Sequence, residues 1–229
     1  DVRRVVRGGS GELSVGFADS AMCQPSLPAV LGYFRESWPD VTLGLAEGNS
    51  SQLLGALRDD LVDVAFVRAS IPDVSDVMVE LILEEPMVVA VPKAHPLADN
   101  PPPEGLRLAD LENEDFILYQ SQYNNGLYKT VWKVAAGRGF LPNPRERGPR
   151  LMAGLSRDAG GLGISVVPLS LQQHQAGQIT YIPLASRTAL TAPVYLVFRS
   201  VRMTGAKLYF IHQARQMRTR QFGTGKAVS

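Results

Sequence analysis

Polar residues stand where apolar strands give way to helices: Ser20, the run Asn49-Ser50-Ser51, and Asn125. Each such junction places a hydroxyl or amide beside backbone N–H groups that a first helical turn leaves without an intrahelical acceptor. Helix N-termini bind anions through those donors and through the aligned peptide dipoles. A small carboxylate or dicarboxylate needs such an arrangement, with polar donors at both ends and little bulk charge. Arg68 directly follows a strand, where a guanidinium can pair with a carboxylate through two parallel hydrogen bonds. Plainer readings stand beside these. Ser20 and Ser50 can simply cap their helices. Arg68 can serve a salt bridge with Asp73 or Glu85. Leu127, two residues after Asn125, lines the same position or belongs to the core.

Other chemistry finds little support. His95, His174 and His212 are far apart and lack metal-ligand spacing. The one cysteine, Cys23, excludes an internal disulfide and a cysteine-based zinc site. In the first turn of a helix it could be an activated thiol, or it could be buried and inert. No Gly-x-Ser-x-Gly motif is present. The run Gly160-Gly161-Leu162-Gly163 ends a helix, whereas a phosphate loop starts one. We therefore expect neither an enzyme nor a cofactor.

The elements that position these residues occur twice. Leu13–Phe17, Gln24–Ser37, Val41–Glu47, Ser50–Asp60 and Asp63–Val67 read strand, helix, strand, helix, strand. Phe116–Tyr119, Gly126–Arg138, Asn143–Gly148, Arg150–Ala159 and Gly163–Val167 repeat that order. The first long helix carries Leu27, Val30, Leu31 and Phe34 at helical spacing, with Ser20 as its expected cap. The second carries Leu53, Leu54, Leu57 and Leu61 as its expected buried stripe. Val77–Leu83 and Pro86–Pro92 read as two extended segments, and Ala98–Glu104 as a surface loop reached through His95-Pro96. Ile179–Pro183 and Val194–Phe198 are late strands. Thr204 caps a last helix with Leu208, Ile211 and Met217, and 218–229 is expected to fray.

The fold class is thus α/β, with two Rossmann-like lobes joined by two crossovers. Open parallel sheets bind ligands beyond the carboxyl ends of their strands, so two such lobes imply a cleft for a small molecule. The expected domains are 1–10 as the end of a linker, 11–84 with 190–218 as lobe I, 85–189 as lobe II, and 219–229 as a tail. With 45% hydrophobic residues, 20% charged residues and a net charge of +1 over 229 residues, the composition is that of an ordinary globular protein. It gives no global field for nucleic acid. No apolar run approaches a membrane span. The expected setting is cytoplasmic.

An ordered set of residues carries a resemblance. It comprises Gly11-Glu12-Leu13-Ser14-Val15-Gly16-Phe17, Pro28, Phe34, Pro39-Asp40-Val41, Leu57 and Asp63-Val64-Ala65-Phe66. It continues with His95-Pro96-Leu97-Ala98, Leu108-Ala109-Asp110-Leu111, Gly161-Leu162-Gly163-Ile164 and Pro168. This resembles the effector-binding domain of LysR-type transcriptional regulators, most of all members that answer to muconate or benzoate in aromatic catabolism.

The resemblance implies a type II periplasmic-binding-protein-like fold with a small-molecule inducer, a carboxylate, in the cleft. It implies DNA binding only through an N-terminal winged helix-turn-helix outside this chain, and a homodimer or homotetramer. It favours a ligand role for Ser50 and matches Arg68 to an arginine near the ligand or a secondary pocket. Two segments depart from the family: Ser156–Gly160 is more polar than usual, and Gln122–Asn125 lacks an expected proline. A solute-binding protein for transport is the alternative with the same fold. In the dimer reading, the helices Gln24–Ser37 and Gly126–Arg138 pair head to tail across a two-fold axis. Ala29, Leu31, Tyr33, Val131, Trp132 and Ala135 are their surplus apolar positions.

Overall fold

A computed structural model describes residues 11–68, 76–119, 127–137, 139, 142–148, 151–185 and 190–223. The chain divides into two compact units, 1–84 with 193–229 and 85–192.

Unit 1 begins with β1 (Glu12–Ala18), α1 (Ser26–Ser37), β2 (Thr42–Gly48), α2 (Ser50–Arg58) and β3 (Val64–Val67). β1 pairs in parallel with β2 on one side and β3 on the other. The late strand β9 (Thr191–Phe198) adds antiparallel to β3, giving the order β2-β1-β3-β9. The i, i+3, i+4, i+7 stripe Leu27, Val30, Leu31, Phe34 is buried, as the spacing requires. Phe17 stacks on Phe66 with ring centroids 5.4 Å apart. Phe210 of the last helix, α6 (Gly205–Gly223), meets both Phe34 and Phe66 edge-on. Burying each ring contributes about 1.5–3 kcal/mol. Gly16 lets α2 sit close to the sheet, because a Cβ there would come 2.6 Å from Leu53 Cδ2.

Unit 2 repeats the plan with β5 (Asp115–Tyr119), α4 (Leu127–Ala136), β6 (Asn143–Gly148), α5 (Leu151–Ala159) and β7 (Ser165–Pro168). β5 and β6 are parallel, and Ile164 exchanges backbone hydrogen bonds with Asp115 and Ile117 on the other side of β5. The glycine turn before β7 is tight: Gly163 has φ +159°, and a Cβ there would lie 2.5 Å from the Asp115 carbonyl oxygen. Two antiparallel pairings complete the unit, β4 (Met78–Pro92) with β7, and β4 with β8 (Ile179–Pro183). Met87, Val89, Val91, Leu108, Phe116, Ile164 and Val166 form its core.

Several expectations change. The extended segments on either side of Pro86 are one 15-residue strand, β4. Pro86 removes a donor without ending the strand, and Met87 resumes pairing opposite Pro168. His95 opens a short helix, α3 (Pro96–Asp99), by accepting the Leu97 N–H on Nδ1. Leu61 lies beyond α2, past Asp60 at φ +56°, and is 69% exposed. Thr204 caps α6 through the Lys207 N–H, but Leu208 is exposed and the helix runs on to Gly223. Residues 1–10 and 224–229 lie outside the described residues, and so does the expected linker end.

Candidate ligand-binding site

The parallel register of unit 1 ends its three strands at one edge. Ala18 pairs with Gly48, and Phe17 with Phe66. The residues that follow those ends are therefore neighbours: Asp19-Ser20 after β1, Asn49-Ser50-Ser51 after β2, and Arg68 after β3. Four of the sequence-predicted residues share this edge.

Asn49, and not Ser50, is the cap of α2. Its Oδ1 accepts the Gln52 N–H at 2.9 Å, while Gln52 Oε1 accepts the Asn49 N–H at 2.9 Å. This closed capping box occupies the Asn49 side chain with structure. Ser50 is thereby relieved of the capping duty. It sits half-buried at the first helical position, where neither its own N–H nor that of Ser51 has an intrahelical acceptor. We expect Asn49→Ala to cost about 1 kcal/mol of stability, read as a lower urea midpoint with an unchanged slope.

Ser20 does not cap α1. That helix starts at Ser26, after Pro25, which makes no side-chain cap hydrogen bond. Proline fills the first positions because its missing N–H is no loss there. The chain between β1 and α1 is wound into turns by Ala21 N–H to the Ala18 carbonyl (2.7 Å) and Gln24 N–H to the Ala21 carbonyl (2.9 Å). Ser20 is buried in this loop, 6% exposed. Arg68, 4% exposed, donates from Nη2 to the Ser20 carbonyl oxygen at 3.2 Å. The guanidinium thus ties the loop after β1 to the end of β3. A guanidinium carries five N–H donors and stays charged, so one group fixes the loop and places a positive charge at this edge.

The Glu85 carboxylate, one of the two partners considered for Arg68, accepts the Ser170 N–H at 2.7 Å and its hydroxyl at 3.1 Å. The other, Asp73, lies outside the described residues, as does Asn125. Leu127 opens α4. Cys23 is half-buried. Among the described residues no group of three metal-ligating side chains forms a metal site, and no helix is long and apolar enough to cross a membrane.

Each unit has parallel strands extended by antiparallel ones, the fold of the type II periplasmic-binding-protein-like class. The family model "LysR substrate binding domain" matches residues 7–218. The chain belongs to that family. The HTH-type transcriptional regulator CatR of Pseudomonas putida is 31% identical over 196 residues, 86% of this chain and 65% of CatR. BenM of Acinetobacter baylyi is 29% identical over 189 residues, 82% of this chain and 61% of BenM. The BenM effector-binding domain with its effector benzoate is similar in structure, with a TM-score of 0.80 at 25% identity, covering 96% of this chain and 97% of that domain. The chain spans 62–65% of the length of the first curated relatives it matches.

Proposed function

We propose that this chain is the inducer-sensing part of a LysR-type transcriptional regulator and binds a small organic acid at the carboxyl edge of unit 1. The observation that carries the proposal is the convergence of buried Arg68, the Ser20 loop and the uncommitted start of α2 on one sheet edge. The capping box supports Ser50 as the donor: with Asn49 bonded to Gln52, the Ser50 hydroxyl and the first helical N–H groups are left to meet an anion. CatR and BenM are transcriptional regulators, which supports regulation over transport. The benzoate of the BenM domain supports a carboxylate, with DNA contacted by a separate N-terminal part.

Ser50→Ala removes one donor to a charged group and is expected to weaken binding by about 1.5–3 kcal/mol. Calorimetric titration with a panel of benzoate, muconates and other small carboxylates checks this. Equal affinity of variant and parent for the tightest acid would place the ligand elsewhere. The same panel in a thermal-shift assay finds the inducer, since a ligand at about 100 times its Kd stabilises by roughly 2.7 kcal/mol.

For assembly, α1 is the supporting element. Ala29 and half-exposed Tyr33 lie on its outer face. They line a groove of about 510 Å3 with Leu83 and with Gln213, Gln216 and Met217 of α6. We infer a dimer that covers this groove. Leu31, counted above among the surplus positions, is instead a core residue, as are Val131 and Ala135 of α4.

A further inference from the structure

Asp158, near the end of α5, is fully buried, at 0% exposure. Its Oδ1 lies 3.1 Å from Ser165 Oγ on β7, and Ser165 Oγ lies 3.1 Å from the Ile117 carbonyl oxygen on β5. A serine hydroxyl has one proton and cannot fully satisfy two acceptors. A carbonyl oxygen can only accept. The chain of contacts closes if Ser165 donates to Ile117 and Asp158, carrying its own proton, donates to Ser165. The alternative puts a bare carboxylate in the core, with Oδ2 lacking any hydrogen-bond partner among the described residues. An unpaired buried charge of that kind is far more costly than a buried neutral acid.

Among the described residues, the surroundings supply no counter-charge in an ion pair with Asp158. From β7 comes Ser165, and from β5 a carbonyl. From β8 comes Tyr181, whose hydroxyl donates to the His174 carbonyl oxygen at 2.5 Å. Burial, and then the nearby Asp158, push the Tyr181 phenol up to about 12. On α5 itself the neighbouring charged residue is Arg157. Among the described residues, none of these forms an ion pair with Asp158.

We propose that Asp158 is a proton-holding residue that makes unit 2 pH-sensitive: neutral, it ties α5 to β7 and β5; ionised, it loosens α5. Burial pushes the carboxyl up to about 8 from an ordinary 3.8, against the lowering effect of the Ser165 hydrogen bond. Between those values the folded chain holds one more proton than the unfolded chain. Raising the pH across that window therefore lowers stability, by roughly tenfold in the folding constant per pH unit, and the loss levels off above about 8.

Two measurements test this. In the isotopically labelled native chain, the carboxyl carbon of Asp158 should show the neutral chemical shift at pH 6.5 and change to the ionised one as the pH passes about 8. An ionised shift already present at pH 6.5 overturns the proposal. In Asp158→Asn, which keeps a donor toward Ser165, the fall in unfolding midpoint between pH 5 and 8 should be much smaller than in the parent, and α5 amides should stay protected from exchange at pH 9. A pH profile identical to the parent's overturns it. The labelled-carbon reading stands on the parent chain alone if the variant does not fold.

Discussion

Arg68→Ala is expected to abolish measurable response to the small-acid inducer and to loosen the loop after β1. Two effects add. Removing the guanidinium leaves the buried Ser20 carbonyl without its 3.2 Å donor, a cost of about 1–3 kcal/mol in stability. Truncating one partner of a buried, hydrogen-bonded charge pair costs about 2–5 kcal/mol of binding, roughly a thirtyfold to several-thousandfold weaker complex. Calorimetry gives the affinity and urea denaturation gives the stability. Arg68→Lys separates the roles: it keeps the charge and loses the fork, so it should retain part of the stability but little of the affinity. A full inducer response in Arg68→Ala would remove this residue from the site.

Ala135→Glu is expected to unfold unit 2. Ala135 is 0% exposed, and a glutamate there would bring both volume and a charge without a partner into the core. Such changes cost more than about 4 kcal/mol, a large share of a typical domain's roughly 5–15 kcal/mol. Circular dichroism and the unfolding midpoint report it. Ala29→Glu makes the contrast. Ala29 is exposed on α1, so its stability change should stay within about 0.5 kcal/mol, while sedimentation should show a weaker dimer. A well-folded Ala135→Glu chain would show that this face of α4 opens to solvent.

The doubled strand-helix order was legible because each element carries its own period, such as Leu27, Val30, Leu31 and Phe34 on α1. The family resemblance rested instead on the ordered set of residues from Gly11 to Pro168 taken together. What failed depended on tertiary partners. Ser20 reads as a cap because serine precedes an apolar periodic run, but Pro25 starts the helix and Ser20 is used inside a buried loop. Ala135 and Val131 read as surplus apolar surface because periodicity gives the width of a stripe and not what covers it. Leu61 continues the period of α2 in sequence, yet the backbone turns at Asp60 and carries it outward. Of the site, the shared edge of Ser20, Ser50 and Arg68 was readable from topology. The reciprocal Asn49–Gln52 bonds that leave Ser50 uncommitted required the geometry. For Asp158 the polar run Ser156–Gly160 was a visible departure, but its partner Ser165 lies across a tight glycine turn and on another element.

The most direct measurement of the central claim is backbone amide mapping of the labelled chain, titrated with the tightest acid from the carboxylate panel. The predicted result is saturable shifts largest at Ser20 and its loop, at Asn49, Ser50 and Ser51, and at Arg68. Saturable shifts that leave those amides unmoved and gather on other residues would contradict it.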